Sequence, residues 1–137
     1  MNLENEVRSK IHNVVPCDVH LANPLHPLNI DMVDAICISL YLDAACPDVS
    51  SYAKAMRNVT SLLKPGGKLV LMGVLNNQLY AVGHDKFYSL SLQMDDVISS
   101  MNVAGLTVLE KFHNGSFNED DSESYKGPIV IHAEKNT

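Results

Sequence analysis

Polar side chains follow three predicted strand ends, and these are the places where the chain could carry chemistry. They lie in the stretches Asp18-Val19, Ser39-Leu40-Tyr41 and Gly73 to Gln78. In an open parallel sheet, ligands bind beyond the carboxyl ends of the strands. The Asp18 carboxylate could accept a hydrogen bond from the amino group of a bound base, and the Ser39 hydroxyl could reach a carboxylate or a hydroxyl. By residue type alone, Asp18 could equally cap a loop and Ser39 could bond to its own backbone.

The sequence predicts neither a metal site nor a catalytic nucleophile. The histidines are scattered and show no paired Cys/His spacing. No Ser/His/Asp or Cys/His signature is visible, so no catalytic side chain is predicted. The run Lys64-Pro65-Gly66-Gly67-Lys68 precedes a strand, whereas phosphate cradles follow one, so its role is structural. The acidic run Glu119-Asp120-Asp121 predicts a solvated loop.

The elements that position these stretches are organised around Ser61 to Leu75. A helical pattern precedes Pro65-Gly66-Gly67, and a strand pattern follows from Leu69 to Leu75. Proline cannot continue a helix, and glycine tolerates the positive φ that ends one, so the turn should close the helix. The unbroken apolar run after it predicts a strand covered on both faces.

Val33 to Leu40 predicts a second buried strand, and its β-branched, apolar character is typical of a parallel sheet. Asp48 or Ser50 can cap the helix that runs to about Leu63, with an apolar stripe that begins at Tyr52. Val33 to Leu75 is therefore predicted to be one β–α–β unit with a right-handed crossover.

The remaining elements follow from local patterns. Leu3 to Val15 predicts an amphipathic helix, Asn23 to Leu28 a proline-rich connection, and Tyr80 to Ser89 a hairpin. Asp95 to Gly105 predicts a further helix, with Val97, Ile98, Met101 and Val103-Ala104 on its inner side. Leu106 to Phe112 predicts a strand, Asn114 to Lys126 a polar loop, and Gly127 to Ala133 a last strand.

Composition indicates one domain with a substantial core, since 46% of the 137 residues are hydrophobic. The formal charge of −6 argues against nucleic acid or an anionic membrane as the main partner. No apolar run reaches the roughly 18 residues that a spanning helix needs. The polar N-terminus and three cysteines without a disulfide pattern predict reduced thiols in a cytoplasmic protein.

Three segments together resemble one protein family. They are Cys17-Asp18-Val19, Ser39 to Asp48 and Leu62 to Met72. The family is that of the nicotinamide, phenylethanolamine and indolethylamine N-methyltransferases, which use S-adenosylmethionine. Tyr80 to Phe87 is also similar to the family's hairpin, and the similarity continues to the C-terminus. The Lys-Pro-Gly-Gly turn alone is typical of the wider methyltransferase class, whereas Leu42 to Asp48 is similar to the nicotinamide member in particular.

The resemblance implies an α/β fold: a Rossmann-like class I methyltransferase sheet, present as its C-terminal half in residues 1–137, with a β-hairpin insertion. It implies S-adenosylmethionine as cofactor, and a small amine or pyridine as methyl acceptor. Its implied cofactor contacts are Asp18 and Val19 at the adenine and Ser39 near the methionine part. Its implied acceptor-pocket residues are Leu40, Asn77, Tyr80 and Ser89.

Two departures from the family pattern shape the expectations. Nicotinamide-type members carry an acid where this chain has Gly73, which argues against nicotinamide as substrate. No Gly-x-Gly follows an early strand, so the glycine-rich cofactor loop is expected upstream and the chain is expected to be truncated and poorly competent alone. Without neighbouring strands, Val33 to Leu40 would form an apolar edge that promotes self-association. The alternative function is therefore a non-catalytic binding or dimerisation module derived from such an enzyme.

Overall fold

The computed structural model describes residues 2–113, 116–117 and 127–137, with the backbone alone at Tyr80, Ser116 and Phe117. It contains both helices and strands, interspersed along the chain, as the sequence predicts for an α/β protein. In chain order they are α1 Leu3–Ser9, β1 Val33–Ser39, α2 Leu42–Ala45, α3 Val49–Thr60, β2 Leu63–Leu75, β3 Leu79–Val82, β4 Asp85–Tyr88, α4 Met94–Val103, β5 Leu106–His113, β6 Ser116–Phe117 and β7 Gly127–Lys135.

The main sheet has the strand order β1-β2-β7-β5-β6. β1 and β2 pair in parallel on either side of the α3 crossover, which confirms the predicted β–α–β unit. β7 lies antiparallel between β2 and β5, so β5 runs in the same direction as β1 and β2. The hairpin β3–β4 forms a separate two-stranded sheet, as predicted. The parallel strands bring the ends of β1 and β2 to one edge of the sheet.

Helix α3 begins where the sequence predicts and provides one side of the core. The Asp48 carboxylate accepts a hydrogen bond from the Ser51 N–H at 2.7 Å and caps the helix. Hydrogen bonding by the backbone and the side chain of Ser51 holds the pKa of Asp48 below its ordinary value. Tyr52, Met56 and Val59 are buried, so the predicted apolar stripe does face the core.

The Pro-Gly-Gly turn lies inside β2 and does not end the helix. α3 already ends at Thr60, and β2 begins at Leu63. The register of β1 against β2 jumps from Val33↔Leu63 to Ala35↔Lys68, so the extra residues form a bulge. Gly66, at φ +80°, supplies the left-handed conformation that this bulge requires. The prediction of a helix-closing turn was therefore wrong, because strand pairing resumes before the proline.

The N-terminal part of the chain is less buried than its apolar pattern predicts. α1 ends at Ser9 instead of Val15 and contains no buried residue. In β1 only Ile38 is buried, which corrects the prediction that Val33 to Leu40 forms a second buried strand. The physical reason is topological: within the described residues, β1 is an edge strand that pairs only with β2.

The C-terminal elements agree closely with the predicted spans. α4 buries Val97 and Met101, whereas Val103 is 62% exposed, so its predicted place on the inner side was wrong. Gly105, at φ +91°, ends the helix as predicted. In the predicted loop between β5 and β7, residues 116–117 form the short strand β6. The acidic run Glu119-Asp120-Asp121 lies outside the described residues.

Candidate functional site

Two cavities of similar size lie beside the segment that follows β1. The first, here called the β1 cavity, has a volume of about 240 Å³ and lies along β1 between residues 17–30 and α3. Its lining includes Cys17, Val19, Cys37, Ser39 and Tyr41. The second, here called the hairpin cavity, has a volume of about 250 Å³. It is lined by Leu40, Asp43, Ala44, Val74, Asn77 and Ser89.

Asp18 and Val19 form a turn at one side of the β1 cavity. Asp18 Oδ1 accepts a hydrogen bond from the His20 N–H at 3.0 Å, and the Asp18 N–H donates to the Pro24 carbonyl at 2.8 Å. Val19 is buried and its side chain lines the cavity, whereas Asp18 is exposed beside it. Among the described residues, the Val19 N–H has no hydrogen-bond acceptor. The turn therefore offers a carboxylate acceptor and a backbone donor next to each other.

This turn is held against helices α2 and α3 by long-range hydrogen bonds. Asn58 Nδ2 donates to the Val19 carbonyl at 2.9 Å, in a buried position. His20 Nε2 donates to the Ala45 carbonyl at 2.9 Å, which requires the proton on that ring nitrogen. The Tyr41 hydroxyl lies 3.4 Å from the Cys17 carbonyl, to which it donates. The pKa of Tyr41 is raised, mainly by burial and next by the nearby Cys17, so the hydroxyl keeps its proton.

Ser39 and Leu40 face different cavities although they are adjacent in sequence. Leu40 takes a left-handed conformation at φ +53°, which costs a branched aliphatic residue about 1–2 kcal/mol. Its N–H donates to the Met72 carbonyl at 2.9 Å, which holds the strained residue at the end of the β1–β2 ladder. As a result Ser39 lines the β1 cavity and Leu40 lines the hairpin cavity. The chain from Ser39 to Ala44 thus forms a wall shared by the two cavities.

Asp43 supplies a nearly buried carboxylate to the hairpin cavity. The residue is 8% exposed, and its Oδ2 accepts a long hydrogen bond from the Val74 N–H at 3.4 Å. A Cβ added to Gly73 would lie 3.8 Å from this oxygen. Burial and the neighbouring Asp48 and Asp43 raise the pKa of Cys46 to about 11. Burial, with Asp43 as the next cause, also raises the pKa of Tyr52, which is therefore neutral.

The hairpin is joined to the cavity wall at its base. The Ser89 N–H donates to the Gln78 carbonyl, and the Leu90 N–H donates to the Asp43 carbonyl, both at 2.8 Å. Asn77 Nδ2 donates to the Leu79 carbonyl at 2.8 Å, which leaves its amide oxygen directed away from that bond. Ser89 is buried. The hairpin therefore closes one side of the cavity with polar groups.

The structure brings most of the predicted site residues together in two groups. Leu40, Asn77 and Ser89 line the hairpin cavity, whereas the side chain of Tyr80 lies outside the described residues. Val19 and Ser39 line the β1 cavity. Asp43 is a cavity residue that was not predicted from the sequence, although the sequence contains a signal for it. It lies four residues beyond the end of β1, where ligand-binding side chains concentrate. In the described part of the chain, no cluster of His, Cys, Asp and Glu could hold a metal ion.

Within the described residues, no helix has the length and apolar character of a membrane-spanning segment.

Comparison with known proteins places these features in a family. The sequence model of the NNMT/PNMT/TEMT family matches residues 1–136. Human nicotinamide N-methyltransferase is 41% identical over 105 residues, which is 77% of this chain and 40% of that protein. Mouse indolethylamine N-methyltransferase is 36% identical over 107 residues, which is 78% of this chain and 40% of that protein. The chain thus spans about 40% of the length of the curated relatives it matches.

Solved structures agree on the fold at low sequence identity. A S-adenosylmethionine-dependent methyltransferase from Clostridium acetobutylicum superposes with a TM-score of 0.69 at 16% identity, covering 98% of this chain and 70% of that one. The N-methyltransferase NodS from Bradyrhizobium japonicum, in complex with S-adenosyl-L-homocysteine, superposes with a TM-score of 0.59 at 15% identity, covering 97% and 59%. The chain has the α/β, Rossmann-like fold of class I methyltransferases, and by its sequence it belongs to the NNMT/PNMT/TEMT family.

Proposed function

We propose that this chain provides the adenine contacts and the acceptor pocket of a S-adenosylmethionine-dependent N-methyltransferase that acts on a small amine. The observation that carries the proposal is the shared wall of residues 39–44, which separates a base-sized cavity from a cavity with a buried carboxylate. Family membership supports methyl transfer as the reaction class. Relatives named for nicotinamide, indolethylamine and phenylethanolamine support a small nitrogen compound as acceptor.

The residues of the β1 cavity fit the adenine end of the cofactor. The amino group of adenine is a hydrogen-bond donor and the adjacent ring nitrogen is an acceptor. Asp18 offers a carboxylate acceptor, and the Val19 N–H, which has no acceptor among the described residues, offers the matching donor. We propose that Ser39, which lines the same cavity at the end of β1, contacts the methionine part. The cofactor, when bound, supplies a methyl group on a sulfonium centre.

The hairpin cavity suits a cationic amine better than a neutral carboxamide. Asp43 is the carboxylate among its described lining residues, and Gly73 adds no second acid beside it. A partly enclosed carboxylate attracts an ammonium group strongly, because the surrounding dielectric is lower than that of water. An amine attacks only through its neutral lone pair. Asp43 can accept a hydrogen bond from a remaining N–H and thereby direct that lone pair toward the wall at Leu40.

In this proposal, most of the rate enhancement comes from holding the cofactor and the methyl acceptor in the right positions. Holding two reactants in line converts a bimolecular step into an effectively unimolecular one and can supply about 7–11 kcal/mol of the barrier. Leu40, Asn77 and Ser89 form the described walls that restrict the acceptor, and we propose that Tyr80 joins them. The proposal assigns no covalent step to the chain.

Equilibrium dialysis with radiolabelled S-adenosylhomocysteine tests the cofactor site. We expect saturable binding that weakens about tenfold in Asp18→Asn, which keeps an oxygen for the His20 N–H but places an N–H₂ donor where an acceptor is needed. Asp34→Asn is the matched control, because it also removes one negative charge and its side chain is 88% exposed. Absence of saturable binding, or equal affinity of both variants, would contradict the assignment.

A methyl-transfer assay distinguishes this function from a non-catalytic binding or dimerisation module. Labelled S-adenosylmethionine is incubated with the chain and with either phenylethanolamine or nicotinamide. Because the chain is expected to be poorly competent alone, the assay compares the two acceptors, and we expect any transfer to go to the amine in preference to nicotinamide. Cofactor binding without transfer to any amine tested would favour the non-catalytic alternative.

A further inference from the structure

The buried face of α3 contains two polar side chains, and Asn58 is the one that bonds outside the helix, since the Thr60 hydroxyl donates to the Met56 carbonyl. Asn58 is 8% exposed and lies on the helix whose other buried side chains include Tyr52, Met56 and Val59. Burying an amide is costly unless its polar atoms are hydrogen bonded. Asn58 Nδ2 donates to the Val19 carbonyl at 2.9 Å, across 39 residues of sequence. The amide therefore ties a distant turn to the helix.

This tie continues through one peptide unit to the Asp18 carboxylate. The Val19 carbonyl and the His20 N–H belong to the same peptide, and in a trans peptide the two groups point in opposite directions. Asn58 holds the carbonyl, while the N–H donates to Asp18 Oδ1 at 3.0 Å. The hydrogen bonds thus run in series from α3 through the peptide to Asp18. Bonds linked in this way polarise and strengthen one another.

We propose that Asn58 is a positioning residue for adenine recognition. It fixes the plane of the Val19–His20 peptide, and that peptide orients the Asp18 carboxylate toward the amino group of the base. The His20 side chain stabilises the same turn from its other side through the Ala45 carbonyl at 2.9 Å. The inference rests on the proposed cofactor site, but Asn58 itself makes no contact with the ligand in this arrangement.

Discrimination between two bases provides a readout that a purely structural residue would not change. S-adenosylhomocysteine carries the amino group, whereas its inosine analogue carries a carbonyl oxygen that Asp18 would repel. We expect the wild-type chain to prefer the adenine compound about tenfold. Asn58→Leu keeps the branching of the side chain at Cγ but removes the donor, so we expect this preference to fall about fivefold. Thr60→Val is the matched control. It removes a buried hydroxyl on the same helix that bonds only within it, to the Met56 carbonyl at 2.7 Å.

The outcomes separate the two proposals. Failure of the wild-type chain to bind or to discriminate would overturn the cofactor site itself. Normal discrimination by wild type and an unchanged preference in Asn58→Leu would overturn the role of Asn58 alone. A loss of preference in Thr60→Val equal to that in Asn58→Leu would also overturn it, because general destabilisation would then suffice.

A measurement on the wild-type chain covers the case in which Asn58→Leu does not fold. The side-chain amide protons of Asn58 are followed by nuclear magnetic resonance while S-adenosylhomocysteine is added. We expect them to shift with the same saturation curve as the Val19 and His20 amides, because the bonds are in series. Shifts at Val19 and His20 without any shift at the Asn58 amide would overturn the proposal.

Discussion

Replacing Asp43 with asparagine tests whether the hairpin cavity recognises a cation. Asparagine has nearly the same shape, and its oxygen can still accept the Val74 N–H that lies 3.4 Å from Asp43 Oδ2. At 4 Å, two unit charges attract by about 4 kcal/mol at an effective dielectric constant of about 20. Dehydration of both groups offsets part of this gain, and truncating one partner of a buried charge pair costs about 2–5 kcal/mol. Asp43 is 8% exposed, so this range for buried pairs applies, and we take its lower end, about 2 kcal/mol, as a minimum.

We therefore expect Asp43→Asn to weaken the binding of phenylethanolamine by about 2 kcal/mol, or roughly thirtyfold. Binding of nicotinamide, which carries no charge, should change less than about threefold. Equilibrium dialysis with each labelled compound, at a saturating concentration of S-adenosylhomocysteine, measures both values. Asp34→Asn serves as the charge-matched control. Equal weakening of both compounds, or no weakening of the amine, would refute the assignment of Asp43 as the cation site.

Three further predictions concern stability and association. Gly67→Ala should unfold at a temperature well below wild type, because its Cβ would lie 2.8 and 2.9 Å from two backbone oxygens. In Gly73→Ala the Cβ would lie 3.8 and 3.9 Å from its nearest neighbours, so calorimetry should show a free energy of unfolding higher by about 0.5–1 kcal/mol. The raised pKa of Cys46, about 11, means that the folded chain holds this proton more tightly than the unfolded chain. Urea titrations should therefore show the contribution of Cys46 intact below pH 9 and falling between about pH 9 and 11, and a Cys46→Ala variant that keeps the same slope would contradict this. Finally, we propose that the free edge of β1 mediates self-association. Ile36→Lys should reduce any concentration-dependent dimer seen by sedimentation, and wild type that stays monomeric at all concentrations would refute the idea.

The sequence predicted the elements of the fold well wherever local chemistry decides them. Asp48 is a cap because its carboxylate reaches the first turn of α3, and Gly105 ends α4 because it takes a positive φ. The hairpin also follows from local turn chemistry. The prediction failed at Pro65, where a helix end and a strand bulge have the same composition. Only the pairing of β2 with β1, which is a long-range property, separates the two.

Burial was the second property that the sequence did not determine. An apolar run predicts a covered strand, but the exposure of β1 depends on its place at the edge of the sheet. The same limit applies to Val103, whose helical spacing suggested the core although it is exposed. Strand order is set by contacts between distant segments, and periodicity within a segment carries no information about it.

The sequence predicted the edge of the sheet at which the candidate site lies, but not that the site consists of two separate cavities. The positions beyond β1 and β2 indicated a ligand edge, and Leu40, Asn77 and Ser89 do line one cavity. Ser39 and Leu40 face different cavities, and the backbone at Leu40 is left-handed. A leucine rarely takes this conformation, so the residue type gave no indication of it. Asp43 was missed because its burial arises from the packing of α2 against β2 and from the Leu90 hydrogen bond to its backbone.

A map of amide chemical shifts, recorded as S-adenosylhomocysteine is added to the isotopically labelled chain, tests the assignment of the β1 cavity most directly. We predict the largest saturable shifts at Val19, His20 and Ser39, around that cavity. Shifts confined to the opposite end of the chain, around Thr107 and residues 134–137 where another cavity lies, would contradict it.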